Sequence, residues 1–274
     1  MDAARRWEAL VRGRLDEMAA LDPDRTTTEG RFWDLRARRY AAQTAGTAER
    51  DPFLAEVRRR VGRRTTVVDV GAGTGRFALA LAPKVAEVVA VDPSRGMLDV
   101  LRREARRRRL TNVRAVEGRW EDVDVPPADV AICSYVLPIV AQPVPFLRKL
   151  DRTTGRHVLL YLGAFSADAL FDPLWRHFHG QPRHPGASYL DLVAVLREMG
   201  IRPRVRVVEV QSHSRFPSLA KAVREYRDYL VLPDTPEVRR ELKELLTDWL
   251  VRDAEGWRLP VRTLPAAVLA WSPT

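Results

Sequence analysis

Apolar residues recur along this chain with two different periods, and the change between them divides it. From Arg5 to Leu21 the positions Trp7, Leu10, Val11, Leu15, Met18 and Leu21 fall on one face of a helix. The Asp-Pro-Asp run at Asp22–Asp24 ends that helix. A second helix is expected over Phe32–Gln43, and a third begins at Asp51 with Pro52 in its first position. From Thr65 the period shortens. Thr65–Val70, Glu87–Val91, Val113–Glu117, Asp129–Ser134 and Arg156–Leu162 read as short apolar or β-branched strands. Helical stretches at Arg76–Ala82, Ser94–Arg109 and Val144–Leu150 separate most of them. Short buried strands alternating with helices imply a parallel sheet covered on both faces.

After Leu162 the rhythm breaks. Ser166–Ser188 reads as an irregular insertion rich in His, Pro and aromatic residues. A helix is expected at Tyr189–Met199, a strand at Arg204–Gln211, helices at Ser218–Leu230 and Pro236–Val251, and a last strand near Ala266–Trp271. Asp234 is placed to cap the second of those helices, with Pro236 in its first turn and Glu237 reaching back. The expected fold is α/β: a doubly wound, mostly parallel, seven-stranded Rossmann-like sheet, with N-terminal helices and helical insertions after strands 5 and 6. Residues 1–64 form the N-terminal helical segment packing on the core. Residues 65–274 form the main domain, with insertions at about 166–188 and 215–255.

Composition narrows the setting. The chain has 274 residues, 46% of them hydrophobic, enough for one large domain with a substantial core. No run approaches the roughly 18 apolar residues of a membrane span, and the N-terminus lacks a signal-peptide core. Cys133 is the only cysteine, so no internal disulfide can form, which fits a cytoplasmic location. A formal net charge of +10 raises the question of an acidic partner such as RNA. All the basic residues except Lys84, Lys149, Lys221 and Lys243 are arginine, and the densest run, Arg102–Arg109, lies on an expected helix surface. A solvated face is the first reading of that run and a nucleic-acid patch the second.

The stretch from Val67 to Ala82 carries the most chemistry. A strand leads into Gly71, Ala72, Gly73, Thr74 and Gly75, and a helix follows. Glycine there lets a ligand approach the backbone. Dinucleotide sites read G-x-G-x-x-G, whereas this loop reads G-x-G-x-G, so no diphosphate need be cradled. Asp69, two residues before the first glycine, suits a cationic ligand better than a pyrophosphate. Asp92 ends the next strand, placed to accept hydrogen bonds from ribose hydroxyls.

With these residues the sequence resembles the class I S-adenosylmethionine-dependent methyltransferases. The resemblance rests on Asp69–Gly75 (DVGAGTG), Val88–Leu98 (VVAVDPSRGML), Val116–Val123 (VEGRWEDV) and Ala128–Val140 (ADVAICSYVLPIV), in order and each at a strand end. It covers about Thr65–Leu162. It implies S-adenosyl-L-methionine as cofactor, with the backbone of Gly71–Gly75 against the methionyl part and Asp69 orienting its ammonium group. It also implies Asp92 and the adjoining Pro93 at the ribose, Met97 near the adenine, Gly118, Arg119, Trp120 and Glu121 on the adenine's other side, and Ser134 with Tyr135 facing the sulfonium and the acceptor. Many relatives have an acid where this chain has Arg119. Trp120 either stacks on the purine or packs under the sheet.

The residues also bear on the acceptor. Methyl transfer mainly requires alignment and exclusion of water, and a general base only for a protonated nucleophile. Tyr135 is the first candidate for contact with the acceptor. His177 and His179, which cluster with His184, are further candidates on a lid; no cysteine or acid completes a metal set there. Trp33 and Tyr40, seven apart, are a core stripe or a wall over the cofactor. Cys133 reads as a small core residue. The acceptor expected is a small or medium-sized molecule attacking through O, N or C. The alternatives are an RNA acceptor and a cofactor-binding relative without turnover. Oligomeric state is open.

Overall fold

The computed structural model describes residues 2–22, 33–164, 170–212 and 214–273. Helix α1 (Ala3–Leu21) starts at Asp2, whose carboxylate accepts from the Arg5 amide, and it buries Trp7, Val11 and Met18. Leu21, expected on the same face, is exposed. Of the helix expected over Phe32–Gln43, Phe32 lies outside the described residues, Trp33 and Asp34 are helical, and helix α2 (Ala37–Thr44) follows a turn at Leu35 and Arg36. Helix α3 (Pro52–Arg58) has Asp51 as its N-cap and Pro52 at its start, as the sequence predicts.

Strand β1 (Thr66–Val70) leads through the glycine loop into the short helix α4 (Ala78–Leu81). Then come β2 (Glu87–Asp92), α5 (Arg95–Arg107), β3 (Val113–Glu117), β4 (Ala128–Ser134), α6 (Pro143–Thr153) and β5 (Thr154–Gly163). The strand order is β3-β2-β1-β4-β5-β10-β6, with β6 at Arg204–Gln211 and β10 at Thr263–Trp271. β1 to β5 run parallel, and β10 lies antiparallel between β5 and β6. This is the doubly wound, mostly parallel seven-stranded sheet expected.

Period-2 alternation assigns the strand residues to two cores. Val68, Val89, Ala131, Val158 and Leu160 face one side, where they meet Trp7 of α1, Phe146 of α6 and Leu192 and Leu196 of α8 (Tyr189–Glu198). Val67, Val88, Val130, Ile132 and Leu159 face the other, against Phe53 and Leu54 of α3, Leu81 of α4 and Leu98 of α5. Each fully buried Leu or Val side chain contributes on the order of 1.5–3 kcal/mol. A sheet covered on both faces leaves its strand ends for ligands, and the glycine loop opens at the carboxyl ends.

The segments after β5 and β6 build a third cluster. Leu174 and Trp175 come from α7 (Asp172–His179). Phe216 comes from β7 (Arg215–Phe216), and Tyr226 and Leu230 from α9 (Leu219–Leu230). Leu242 and Leu246 come from α10 (Pro236–Trp249), and Met18 of α1 joins them. Within 166–188 the structure therefore differs from the irregular reading: α7 is a regular helix closed by Gly180 at φ 71°. Its eight residues, with Pro173 in the first turn, are too few to show a helical period. A three-stranded sheet of β7, β9 (Gly256–Arg258) and β8 (Val251–Asp253), in that order, also escaped notice, since strands of two or three residues carry no alternation. Thr235, not Asp234, caps α10 by accepting from the Val238 amide, while Asp234 pairs with Arg227 and Arg239. Two guanidinium groups outcompete one amide for a carboxylate. No described helix is long and apolar enough to cross a membrane.

Candidate active site

The glycine loop is held open by backbone bonds and one carboxylate. Gly71 and Ala72 donate to the Val91 carbonyl at 2.8 and 3.0 Å, which ties the loop to the end of β2. Gly71 has φ 72°, and a Cβ there would lie 2.1 Å from Val136 Cγ2. Only glycine fits, because both the left-handed backbone and the packed valine exclude a side chain. Asp92 reaches across: Oδ2 accepts from the Gly73 amide at 2.8 Å and Oδ1 from the Ser94 amide at 2.8 Å. Burial raises its carboxyl above the ordinary range, those two amides oppose the shift, and the Asp34 carboxylate adds to it.

Asp69 is sealed in the core at 2% exposure. Desolvation pushes its carboxyl up to about 7, against a hydrogen bond from the Ala78 amide. The bond joins β1 to the first turn of α4. Asp69 is thus tied to α4, and its role in orienting the ammonium group stays what the resemblance implies.

A cavity of about 710 Å³ lies on one side of the loop. Gly71, Pro93, Gly118, Arg119, Trp120, Glu121 and Val136 line it, together with Arg12 of α1 and Phe146 of α6. Five of the expected adenine-side and ribose-side residues are thus brought together. Trp120 is at its wall with its ring edge-on to Phe146, and its indole N–H donates to the Phe146 carbonyl at 3.3 Å. At 3% exposure it belongs to the core beneath the sheet and at the same time lines this cavity. Arg119 turns toward Glu121 and Asp122, at 3.6 and 3.8 Å. Met97 does not line this cavity. It is buried beside Ala37 and Val100, with Trp33, Tyr40 and Ala41 packed against them.

On the other side of the loop a smaller space, about 310 Å³, is lined by Tyr135, Arg76, Tyr40, Gln43, Ser214 and Phe216, among others. Tyr135 follows Ser134 at the end of β4 with φ 59°, a strained value for a residue with a side chain. Its amide donates to the Tyr161 carbonyl at 2.7 Å, and its ring stands edge-on to Tyr161 at 5.1 Å. Desolvation and the nearby Asp51 carboxylate push its phenol up to about 12. At neutral pH Tyr135 is a hydrogen-bond donor, not a base.

Sequence reasoning missed what holds this side together. Arg76 Nη2 meets Asp51 Oδ2 at 2.6 Å, and Asp51 is buried and also caps α3. Asp34 Oδ1 accepts from Ser94 Oγ at 2.6 Å and from the Gly96 amide at 2.7 Å, which docks the N-terminal segment on α5. Trp7 donates to the Val140 carbonyl at 2.8 Å, fixing α1 against the segment after β4. The local signals were thin: the one hint for Asp51 was its position before Pro52.

The candidate histidines lie elsewhere. His177 Nε2 meets Glu241 of α10 at 2.7 Å, and His179 Nε2 meets the Leu230 carbonyl at 2.8 Å with its ring against Trp175. Neither lines a cavity that Tyr135 or a residue of Gly71–Gly75 also lines. Both stabilise the packing of α7 on α9 and α10. Cys133 is buried in the core, and desolvation raises its thiol well above the ordinary value, so it is not a thiolate nucleophile.

Comparison with known proteins bears on this arrangement. Residues 67–155 match the family model described as a methyltransferase domain. An uncharacterized protein of Haemophilus influenzae is 28% identical over 187 residues, 66% of this chain and 67% of its own length. The uncharacterized methyltransferase YcgJ of Bacillus subtilis is 37% identical over 71 residues, 25% of this chain and 28% of its own. The YcgJ crystal structure superposes with a TM-score of 0.54 at 18% identity, covering 80% of this chain and 97% of that one. Magnesium protoporphyrin IX methyltransferase from Synechocystis PCC 6803, solved with bound S-adenosylhomocysteine, superposes with a TM-score of 0.51 at 17% identity, covering 65% and 81%. Residues 67–155 therefore match a methyltransferase domain, and the chain shares the fold of these two solved structures.

Proposed function

We propose that this protein transfers a methyl group from S-adenosyl-L-methionine to a small or medium-sized acceptor. The observation that carries this reading is Asp92, buried at the end of β2, whose carboxylate holds the Gly73 amide of the glycine loop. Its neighbours Val91 and Pro93 line the 710 Å³ space, and the Gly73 amide it holds belongs to the loop between that space and Tyr135. The larger space fits the nucleoside, with Gly118–Glu121 about the adenine, Pro93 at the ribose and Asp92 accepting from the ribose hydroxyls. Arg119 faces its own neighbouring acids, so backbone groups of 118–121 are the candidates for the adenine edge. The backbone of Gly71, Ala72, Gly73, Thr74 and Gly75 takes the methionyl tail. Asp69 keeps that loop anchored through Ala78.

When bound, the cofactor supplies a methyl group on a positively charged sulfur, with a neutral thioether as leaving group. The chain then has to align the acceptor and keep water out. Ser134 and Tyr135 stand at the end of β4 for that purpose. Tyr135, held protonated, donates to the acceptor and orients it. Trp33 and Tyr40 from the N-terminal segment, and Phe171, Phe216 and Glu225 from the later insertions, enclose the acceptor side.

Calorimetric titration with S-adenosylhomocysteine tests the cofactor half. Asp92→Ala is expected to weaken binding by roughly 10- to 150-fold, the equivalent of a charged hydrogen bond of about 1.5–3 kcal/mol. Unchanged affinity in a variant that keeps its circular dichroism would remove Asp92 from the site. Incubation with methyl-labelled cofactor and separated cell fractions tests the acceptor half. Label in a small-molecule fraction is expected, and label confined to RNA would overturn this reading.

A further inference from the structure

We propose that the acceptor subsite is the aromatic cavity between α2 and α9, and that it takes an uncharged planar aromatic molecule bearing a hydroxyl or carbonyl group. The proposal rests on the methyltransferase reading above and names its acceptor class. The 310 Å³ space beside Tyr135 continues into a second one of about 390 Å³, with Tyr40, Gln43, Ser214, Phe216 and Glu225 lining both. A path therefore runs from Tyr135 and Arg76 to α9.

Its walls are rings. Trp33, Tyr40, Phe171, Phe216, Tyr226 and Tyr229 line the larger space. They meet edge to face: Trp33 on Tyr40 at 6.2 Å and 77°, and Phe171 on Tyr229 at 4.8 Å and 60°. Such a lining offers ring faces and edges for offset or T-shaped contact, which favours a flat π-system over an aliphatic body of equal volume.

Its charges are spoken for. Arg39 pairs with Glu225 at 3.0 Å, and Lys221 reaches the same carboxylate at 3.3 Å. Arg76 pairs with Asp51, Arg215 with Asp253 at 2.7 Å, and Arg36 feels Asp228 and Asp22. An ionic acceptor would have to break one of these pairs in a partly desolvated site, which disfavours it.

Its polar need is specific. The hydroxyls of Tyr226 and Tyr229 are sealed from solvent, and neither makes a hydrogen bond among the described residues. Tyr226 itself is 4% exposed. A buried hydroxyl without a partner is costly, and a small turn of the ring toward the cavity would give it a ligand oxygen.

The test is calorimetry on the full chain at neutral pH, first with S-adenosylhomocysteine alone and then with probes added to the saturated complex. The probes are 2-naphthol, naphthalene, trans-2-decalol and 2-naphthoate. We expect 2-naphthol to bind at least several-fold more tightly than each of the other three. Trp33→Leu should weaken 2-naphthol about fivefold or more and leave S-adenosylhomocysteine unaffected. Tyr226→Phe should melt no lower than the parent, since it deletes an unpaired hydroxyl, and should erase the preference for 2-naphthol over naphthalene. Tightest binding of 2-naphthoate or trans-2-decalol would overturn the proposal. So would equal affinity of the parent and Trp33→Leu, or a naphthol preference that survives Tyr226→Phe. Failure of S-adenosylhomocysteine to bind the parent would instead remove the methyltransferase reading, whatever the aromatic probes do.

Discussion

Two buried carboxylates beside the glycine loop show how far single residues can be pushed. Asp69 is held neutral up to about pH 7 by desolvation, whereas an unfolded aspartate ionises near 4. Between those values the folded state binds more protons than the unfolded one. Stability from this group is therefore full at low pH and falls as pH rises, by about 1.4 kcal/mol per unit at most. Asp69→Asn removes that slope. Urea unfolding at pH 5 and pH 8 should show the parent losing more stability than the variant, and parallel slopes would dismiss the idea. Carboxyls lowered by arginines, such as Glu56 beside Arg60 and Arg59, push the other way but are common to both proteins and cancel. Asp51 makes the opposite case, since its charge is matched by Arg76 inside the protein. Asp51→Asn keeps an acceptor for the Phe53 amide but strands the guanidinium, with a cost of about 3–5 kcal/mol expected in denaturant unfolding. A second change, Arg76→Met, should recover part of that loss, so the pair is non-additive. Neither effect was legible in the sequence. Asp69 and Asp92 announced themselves by spacing from the glycines, but Asp51 lies 25 residues before Arg76 and is brought to it only by the packing of α3.

Elements of the sheet were legible because their pattern is local. β3 at Val113–Glu117 and β6 at Arg204–Gln211 fall where alternation placed them, and the helices between strands carry a clear apolar face. What escaped was short or set by distant partners: α7 with eight residues, the β7-β9-β8 sheet, and the capping of α10 by Thr235. The site divides the same way. Gly71, Pro93, Gly118 and Trp120 line one cavity as their strand ends required, whereas Met97, His177 and His179 sit where tertiary packing put them. The docking of the N-terminal segment is the clearest case. Asp34 bonds to Ser94 and Gly96 at the start of α5, and α2 then covers Met97 and places Tyr40 3.9 Å from where a Gly73 side chain would begin. Asp34→Ala removes the only described side-chain acceptor for the Gly96 amide. The segment should then open at its arginines. Limited trypsin digestion should cut after Arg36, Arg38 or Arg39 several-fold faster than in the parent, while the sheet domain persists. Equal cutting rates would mean that Trp33 and Tyr40 alone hold the segment in place.

At the scale of the molecule, the net charge of +10 is the feature that composition raised without resolving. Three of the six arginines in the Arg102–Arg109 run are answered by nearby acids: Arg102 by Asp99 at 3.0 Å, and Arg107 and Arg108 by Glu104 at 2.7 and 3.6 Å. A second concentration surrounds the amino ends of β1 and β5, where Arg59 and Arg60, both paired with Glu56, join Arg63, Arg64, Arg156 and His157 around an open hollow. Burial, and after it the charges of Arg60 and Arg156, lower the His157 imidazole below its ordinary value. That hollow lies at the end of the parallel strands opposite the glycine loop. A polyanion held there would present no reacting atom to Tyr135, because the sheet stands between them. Attraction at such a patch comes from counterion release and weakens steeply with salt. A filter-binding titration with RNA should therefore give binding at low salt that falls at least tenfold toward physiological ionic strength, and that drops in Arg63→Glu/Arg64→Glu without change in S-adenosylhomocysteine affinity. Retention of RNA at high salt, together with protection from the cofactor-side ligand, would place nucleic acid at the carboxyl ends of the strands and make RNA the acceptor.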